Sequence, residues 1–175
     1  MAWLVTGGSG YIGAHVVRAF RGAGIDVVVL DNGSSGHRSF VASDVPFVSA
    51  SITDSAALTS LFSEHEIDGV VHLAGYKYAG ESVKFPLVTY DQNVTGTAVL
   101  LAAMAEAGVS RLVFSSSAAV YGTPTVDIVT ESTSTDPQSP YGESKLIGEW
   151  LIRDQAVATG LTHTSLRYFN VVGSG

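Results

Sequence analysis

Cysteine is absent from the 175 residues, so the chain can form neither a disulfide nor a thiolate-bound metal centre. Positive charge is scarce. Nine Lys and Arg stand against 16 Asp and Glu, a net charge of −7, and no basic cluster offers a surface for nucleic acid. Five prolines and two methionines are too few for a proline-rich linker or a methionine-lined groove. Apolar residues nowhere run for the roughly 18 positions that a membrane-spanning helix needs. The longest such stretch, residues 98–105, stops at Glu106. Met1 leads at once into a strand-like run over residues 2–6, which leaves no room for the basic and apolar regions of a secretion signal. A soluble cytoplasmic protein is expected, with neither nucleic acid nor membrane as partner.

What is present points to one compact domain over residues 1–175: a hydrophobic fraction of 46% and 19 glycines in a length typical of a single core. Short β-branched runs over residues 3–6, 26–30, 46–49, 69–73, 111–115 and 162–167 read as strands. Most lack polar alternation, as expected of strands covered on both faces. Between them, residues 11–23, 54–65, 86–107 and 141–159 read as helices. Gly24, Gly108 and Gly160 follow three of these, where a left-handed cap suits glycine. The Ser- and Thr-rich loop 130–140 is expected to cap the last helix. Alternating strands and crossover helices predict an α/β fold, a doubly wound parallel sheet with helices on both faces.

The run Thr6-Gly7-Gly8-Ser9-Gly10-Tyr11-Ile12-Gly13 carries Gly-x-Gly-x-x-Gly between the first strand and the first helix. In that setting the amides of the helix N-terminus can meet a pyrophosphate, and Gly13 lets helix and strand pack closely. The alternative is a tight turn with no ligand. Asp31 ends the second strand, 18 residues after Gly13. A carboxylate there can accept from ribose hydroxyls and would repel a 2′-phosphate, which favours NAD over NADP. Arg38 is a counter-candidate as a phosphate partner, and Asp31-Asn32-Gly33 also reads as an ordinary turn.

Tyr141 and Lys145 lie four apart in Pro140-Tyr-Gly-Glu-Ser-Lys145, on one face of a helix. An ammonium beside a phenol lowers the pKa of the phenol and makes it a general base. The same spacing also suits an ordinary surface pair. Ser115-Ser116-Ser117 closes the preceding strand, at the sheet end where α/β proteins hold ligands. Ser117 is a candidate to relay a proton or hold a substrate oxygen; otherwise these serines cap their own backbone.

With these motifs in order, the chain resembles the UDP-glucose 4-epimerase branch of the extended short-chain dehydrogenase/reductases, a Rossmann-like, NAD-dependent epimerase/dehydratase family. The likeness rests on residues 4–13, His72-Leu-Ala-Gly-Tyr-Lys77, Gly80-Glu-Ser-Val83, Asn93-Val-Thr-Gly-Thr97, residues 115–122, Tyr141 to Lys145, and Leu166-Arg-Tyr-Phe-Asn170. It implies NAD as cofactor and 4-epimerisation of a UDP-hexose, by transient oxidation at C4, as activity. Tyr141 would be the base, Lys145 would lower its pKa and bind the nicotinamide ribose, and Ser117 would assist. The resemblance assigns to the cofactor Gly7, Gly10, Tyr11, Ile12, Gly13, Asp31, Asn32, Ser51, Ile52, Leu73, Ala74, Gly75, Lys77, Asn93, Ser115, Tyr141, Lys145 and Tyr168. It assigns to the sugar nucleotide Lys77, Ser117, Tyr141 and Asn170. Lys77 would otherwise be solvated, Asn93 would otherwise be structural, and Tyr168 and Asn170 would otherwise pack at strand ends. No metal is implied. A homodimer through the helices over 86–107 and 141–159 follows by analogy.

Two departures refine the likeness. Ala118 and Ala119 stand where sugar-nucleotide dehydratases of the superfamily carry an Asp-Glu pair, so elimination of water lacks a catalyst. Ser51 stands where the family has an Asp that accepts from the adenine amino group, and a weakened contact is expected. The resemblance also implies a C-terminal substrate domain, expected to be absent from this chain. The alternatives are a cofactor-binding module without turnover, or another sugar-nucleotide oxidoreductase on the same framework.

Overall fold

Six parallel strands form one sheet in the order β3-β2-β1-β4-β5-β6, the order produced when two β-α-β units start side by side and wind outward in opposite directions. The computed structural model describes residues 1–173. The strands are β1 (Ala2–Thr6), β2 (Asp26–Leu30), β3 (Phe47–Val48), β4 (Ile67–His72), β5 (Arg111–Ser115) and β6 (Thr162–Leu166). The helices are α1 (Tyr11–Gly22), α2 (Ser55–Glu64), α3 (Ala79–Ser82), α4 (Pro86–Tyr90), α5 (Gly96–Glu106) and α6 (Pro140–Thr159).

Because successive side chains leave a strand on opposite faces, the apolar runs feed two cores. Leu4, Leu30, Val70, Leu112 and Phe114 meet Leu58 and Leu61 of α2, Leu100 and Met104 of α5, and Ile152 of α6. Val5, Val27, Val29 and Val71 meet Val17 of α1 together with Val41 and Val45. The expected glycine caps form: Gly24, Gly108 and Gly160 take φ of +73°, +72° and +76°. Ser139, at the end of the expected loop, accepts from the Gly142 amide at 3.2 Å and starts α6 with Pro140 as its first residue.

Three expectations need correction. The strand over 46–49 contracts to Phe47–Val48, since Pro46 has no N–H to give and only its carbonyl joins the sheet, accepting from Val29 at 2.9 Å. The strand over 162–167 ends one residue early, because Arg167 turns to an ion pair with Glu149 on α6. The single helix over 86–107 is instead α4, a π-turn at Asp91–Thr95, and α5. In the widened turn the Gly96 amide reaches back five residues to Asp91. Gly96 itself lies against Ile52, where an added Cβ would come within 2.5 Å of the Ile52 side chain.

At the carboxyl end of the sheet the first core turns polar. Thr6 and His72 are paired in register on the α5 side, and Thr97 of α5 faces them. The Thr6 hydroxyl accepts from the amides of Leu73 and Ala74, both at 3.2 Å, so its own hydrogen goes to Nδ1 of His72 at 2.7 Å. Nε2 of His72 must then carry the proton that it donates to Thr97 at 3.1 Å, and Thr97 donates to the Asn93 carbonyl at 2.6 Å. Burial, assisted by the Lys145 ammonium, holds the pKa of His72 down from 6.5 to about 3. The unfolded chain takes up this proton near pH 6.5 while the folded chain does not. His72 therefore lets stability fall by up to about 1.4 kcal/mol per pH unit as pH drops from 6.5 towards 3. Urea unfolding between about pH 7 and about pH 5 is expected to show this loss, and His72→Asn should flatten it by about one proton; an unchanged slope would contradict the assignment.

Candidate active site

The chain leaves β1 for one face of the sheet through α1 and leaves β4 for the other through α5, and this divergence opens a crevice at their carboxyl ends. A cleft of about 600 Å³ occupies it. Its floor is the glycine loop. Gly7 takes φ +72°, and a Cβ there would lie 2.8 Å from the Ala74 amide; a Cβ on Gly13 would lie 2.1 Å from the Gly7 carbonyl. Gly10 starts α1 with no side-chain cap, which leaves the first amides of a 12-residue helix for a ligand.

Asp31 lies at the next strand end, almost fully buried. One carboxylate oxygen accepts from the Ser9 amide at 3.0 Å and the other from the Gly33 amide at 2.8 Å. It therefore shapes the turn, while these two bonds leave lone pairs unused on a carboxylate that lines the cleft. Arg38 is turned away. Its guanidinium carbon lies 4.6 Å from the centre of the Phe47 ring, and Nη1 donates to the Val41 carbonyl at 2.6 Å.

Opposite the glycine loop, α6 brings Tyr141 and Lys145 to the cleft. The helix packs closely because glycine stands at two contacts, one with β5 and one with the turn that follows it. A Cβ on Gly148 would come within 2.7 Å of the Phe114 ring, and one on Gly142 within 2.7 Å of the Ala119 carbonyl. Lys145, 5% exposed, donates to the Ser115 carbonyl at 2.9 Å and lies 5.2 Å from the Phe114 ring centre and 5.9 Å from that of Tyr141. With no carboxylate partner among the described residues, burial lowers its pKa from 10.5 to about 8. The expected lowering of the Tyr141 pKa by Lys145 is not what the pair produces on its own. Burial pushes the phenol up, the nearby Ser117 hydroxyl pulls it partly down, and Tyr168 adds to the rise. Tyr168 in turn hydrogen-bonds to the Ser115 hydroxyl.

The cleft walls contain most of the residues expected there: Gly7, Gly10, Tyr11, Ile12, Gly13, Asp31, Asn32, Ile52, Leu73, Ala74, Gly75, Lys77, Ser115, Tyr141, Lys145 and Tyr168. Four stand outside them. Ser51 turns its hydroxyl to Thr53 at 2.9 Å. Asn93 sits one layer behind, where its amide brackets Tyr76, accepting from the backbone N–H at 2.6 Å and donating to the carbonyl at 3.1 Å and to Ser144 at 2.8 Å. Gly75 makes room for it, since a Cβ there would lie 2.5 Å from Asn93 Oδ1. Ser117 caps the turn at Ala118–Tyr121 and reaches the site through Tyr141. Asn170 is exposed beyond β6. Sequence reasoning missed Leu30, Ser34, Ser35, Ala50, Tyr76, Tyr78, Val88 and Gln92, which complete the walls. The tyrosines flanking Lys77 were the available signal, as aromatic residues in a loop that follows a strand end. Among the described residues no group of three or more His, Asp or Glu could hold a metal, and no helix is long and apolar enough to cross a membrane.

Known proteins share both the sequence and this geometry. The chain is 46% identical to UDP-glucose 4-epimerase of Lactobacillus helveticus over 174 residues, which cover 99% of this chain and 53% of that protein. It is 42% identical to UDP-glucose 4-epimerase of Bacillus subtilis, covering 99% and 54%. The chain thus spans about half the length of these curated relatives. Among solved structures, UDP-glucose 4-epimerase from Brucella ovis in complex with NAD superposes with a TM-score of 0.94 at 41% identity, covering 97% of this chain and 52% of that one. The enzyme from Bifidobacterium longum in complex with NAD+ and UDP superposes with a TM-score of 0.95 at 39% identity, covering 100% and 55%. Residues 3–175 match the NAD dependent epimerase/dehydratase family, and the chain belongs to it.

Proposed function

We propose that this chain is the cofactor-binding and proton-transfer half of a UDP-glucose 4-epimerase, interconverting UDP-glucose and UDP-galactose with NAD. The observation that carries the reading is the convergence of Tyr141, Lys145, Ser115 and Tyr168 on one cleft whose floor is the uncapped N-terminus of α1. The residues fit a dinucleotide. The glycine loop leaves its amides open to a pyrophosphate, Asp31 has acceptors left for the adenine ribose, and Lys145 lines the cleft opposite the glycine loop, where this reading puts the nicotinamide.

NAD supplies the hydride acceptor for C4 of the sugar and, in its oxidised ring, a positive charge beside the phenol. Tyr141 takes the proton of the 4-hydroxyl as C4 is oxidised and returns it when C4 is reduced from the opposite face. The nearby Ser117 hydroxyl steadies the phenolate form. Lys145 binds the ribose hydroxyls and keeps a cation near the phenol. Ala118 and Ala119 offer no acid or base for loss of water, which favours epimerisation over dehydration within the family. A second reading, a cofactor-binding module without turnover, draws on the chain's span of about half its relatives.

Incubation with UDP-galactose should yield UDP-glucose, and Tyr141→Phe should lower the rate by about 10²- to 10⁴-fold with NAD still bound. NAD binding with no conversion of either sugar would favour the module. Calorimetry should find NADP bound at least about tenfold more weakly than NAD, because Asp31 repels a 2′-phosphate and Arg38 is committed to Phe47; equal affinities would overturn that assignment. Lys145→Met is expected to abolish NAD binding while raising stability at neutral pH by about 1–3 kcal/mol. The folded pKa of Lys145 is lowered, so the buried ammonium costs stability below pH 8, and the cost fades as pH rises through 10.5. Thermal melts at about pH 7 and about pH 10 check both the gain and its loss.

A further inference from the structure

Two fully buried serines hold the backbone of Tyr141 without lining the cleft: Ser82, the last residue of α3, and Ser144 of α6. Each gives its one hydroxyl hydrogen to the carbonyl three residues before it, Ser82 to Ala79 at 2.6 Å and Ser144 to Tyr141 at 2.7 Å. Their oxygens are then left to accept. Ser82 takes the backbone amide of Tyr141 at 3.2 Å, and Ser144 takes the side-chain amide of Asn93 at 2.8 Å. Asn93, itself 3% exposed, brackets the backbone of Tyr76, and the Ser82 amide donates to the Tyr78 carbonyl at 2.9 Å. These bonds close a ring. One side runs from Tyr76 through Asn93 and Ser144 to the Tyr141 carbonyl; the other runs from the Tyr141 amide through Ser82 to Tyr78.

Helix formation does not call for this ring. α6 has its cap in Ser139 and starts on Pro140, and alanine in place of either serine would favour the helix more and leave no hydroxyl to satisfy. What the ring does is join two parts of the cleft wall that are far apart in the chain: the loop of Tyr76, Lys77 and Tyr78, and the helix start that carries Tyr141. Held at both its N–H and its carbonyl, the Tyr141 peptide cannot slide along the helix axis or roll about it without moving that loop.

We propose that Ser82 and Ser144 are positioning residues: they hold the Tyr141 peptide from both sides and join it to the Tyr76–Tyr78 loop as one body. The proposal rests on the reading of Tyr141 as the base for its bearing on catalysis, but its first test needs no turnover. Exchange of single backbone amides with deuterated water is followed by NMR, and each variant is read at an amide that it does not touch. Ser82→Ala is read at Tyr76, and Ser144→Ala is read at Tyr76 and Tyr141. Exchange at these amides is expected to quicken by about three- to tenfold, with Val70 in the middle of the sheet unchanged. No change at the distant amide, or a quickening that Val70 shares equally, overturns the proposal; either variant decides it if the other fails to fold. Conversion of UDP-galactose is the second readout. Ser82→Ala should lower kcat by about tenfold or more with KM and NAD affinity unchanged, since only the base is displaced; an unchanged kcat overturns the positioning role. Where the parent shows no conversion, the exchange result alone decides. Full turnover in Tyr141→Phe would end the reading of Tyr141 as the base and leave the exchange result standing.

Discussion

Burying an ammonium group with no carboxylate beside it is costly, and Lys145 is held in this way. Among the described residues its hydrogen-bond partner is the Ser115 carbonyl, and the rings of Phe114 and Tyr141 have their centres 5.2 and 5.9 Å from its ammonium. Keeping it there takes a rigid frame. Gly148 lets α6 come down onto Phe114, Asn93 stiffens the loop at Tyr76 behind it, and the Thr6-His72-Thr97 chain fills the space below with groups whose hydrogens are all committed. The lysine is poorly solvated and poorly paired, so an electron-rich ligand entering the cleft meets a cation with little to lose by binding it.

Tyr141 obeys the same constraint with the opposite sign. Burial favours the neutral phenol and the uncharged amine alike, so neither group is primed by the other alone. On the proposed reading, preparing Tyr141 as the base is then a property of the occupied cleft. Such a site holds its reactive form back until the ligands are in place, which limits proton exchange with solvent in their absence.

Much of this was legible in the chain. The β-branched runs and the glycines after the helices marked the alternation, and the spacing from Gly7 to Gly13 and on to Asp31 marked the floor of the cleft, because those features depend on local backbone geometry. What escaped depends on contacts between distant residues. Nothing in the run around Asn93 announces a π-turn, and the close approach of Gly96 to Ile52 just after it joins residues far apart in the chain. Ser51 stood at the right place in the pattern, yet its hydroxyl found Thr53 first. The effect of Lys145 on Tyr141 was read from spacing alone, and spacing carries no information about burial. Glu149 and Arg167 lie 18 residues apart and belong to no local motif.

The stacking of Arg38 on Phe47 bears on how cofactor choice is written into the fold. The cation that a 2′-phosphate would seek is already in the chain, one short loop beyond Asp31, and an aromatic ring on β3 together with a backbone carbonyl keeps it out of service. On the proposed reading, selectivity of this kind is stored partly in a residue outside the cleft wall. An effort to switch the cofactor would then begin by freeing a side chain that is present, at Phe47, before adding any new charge.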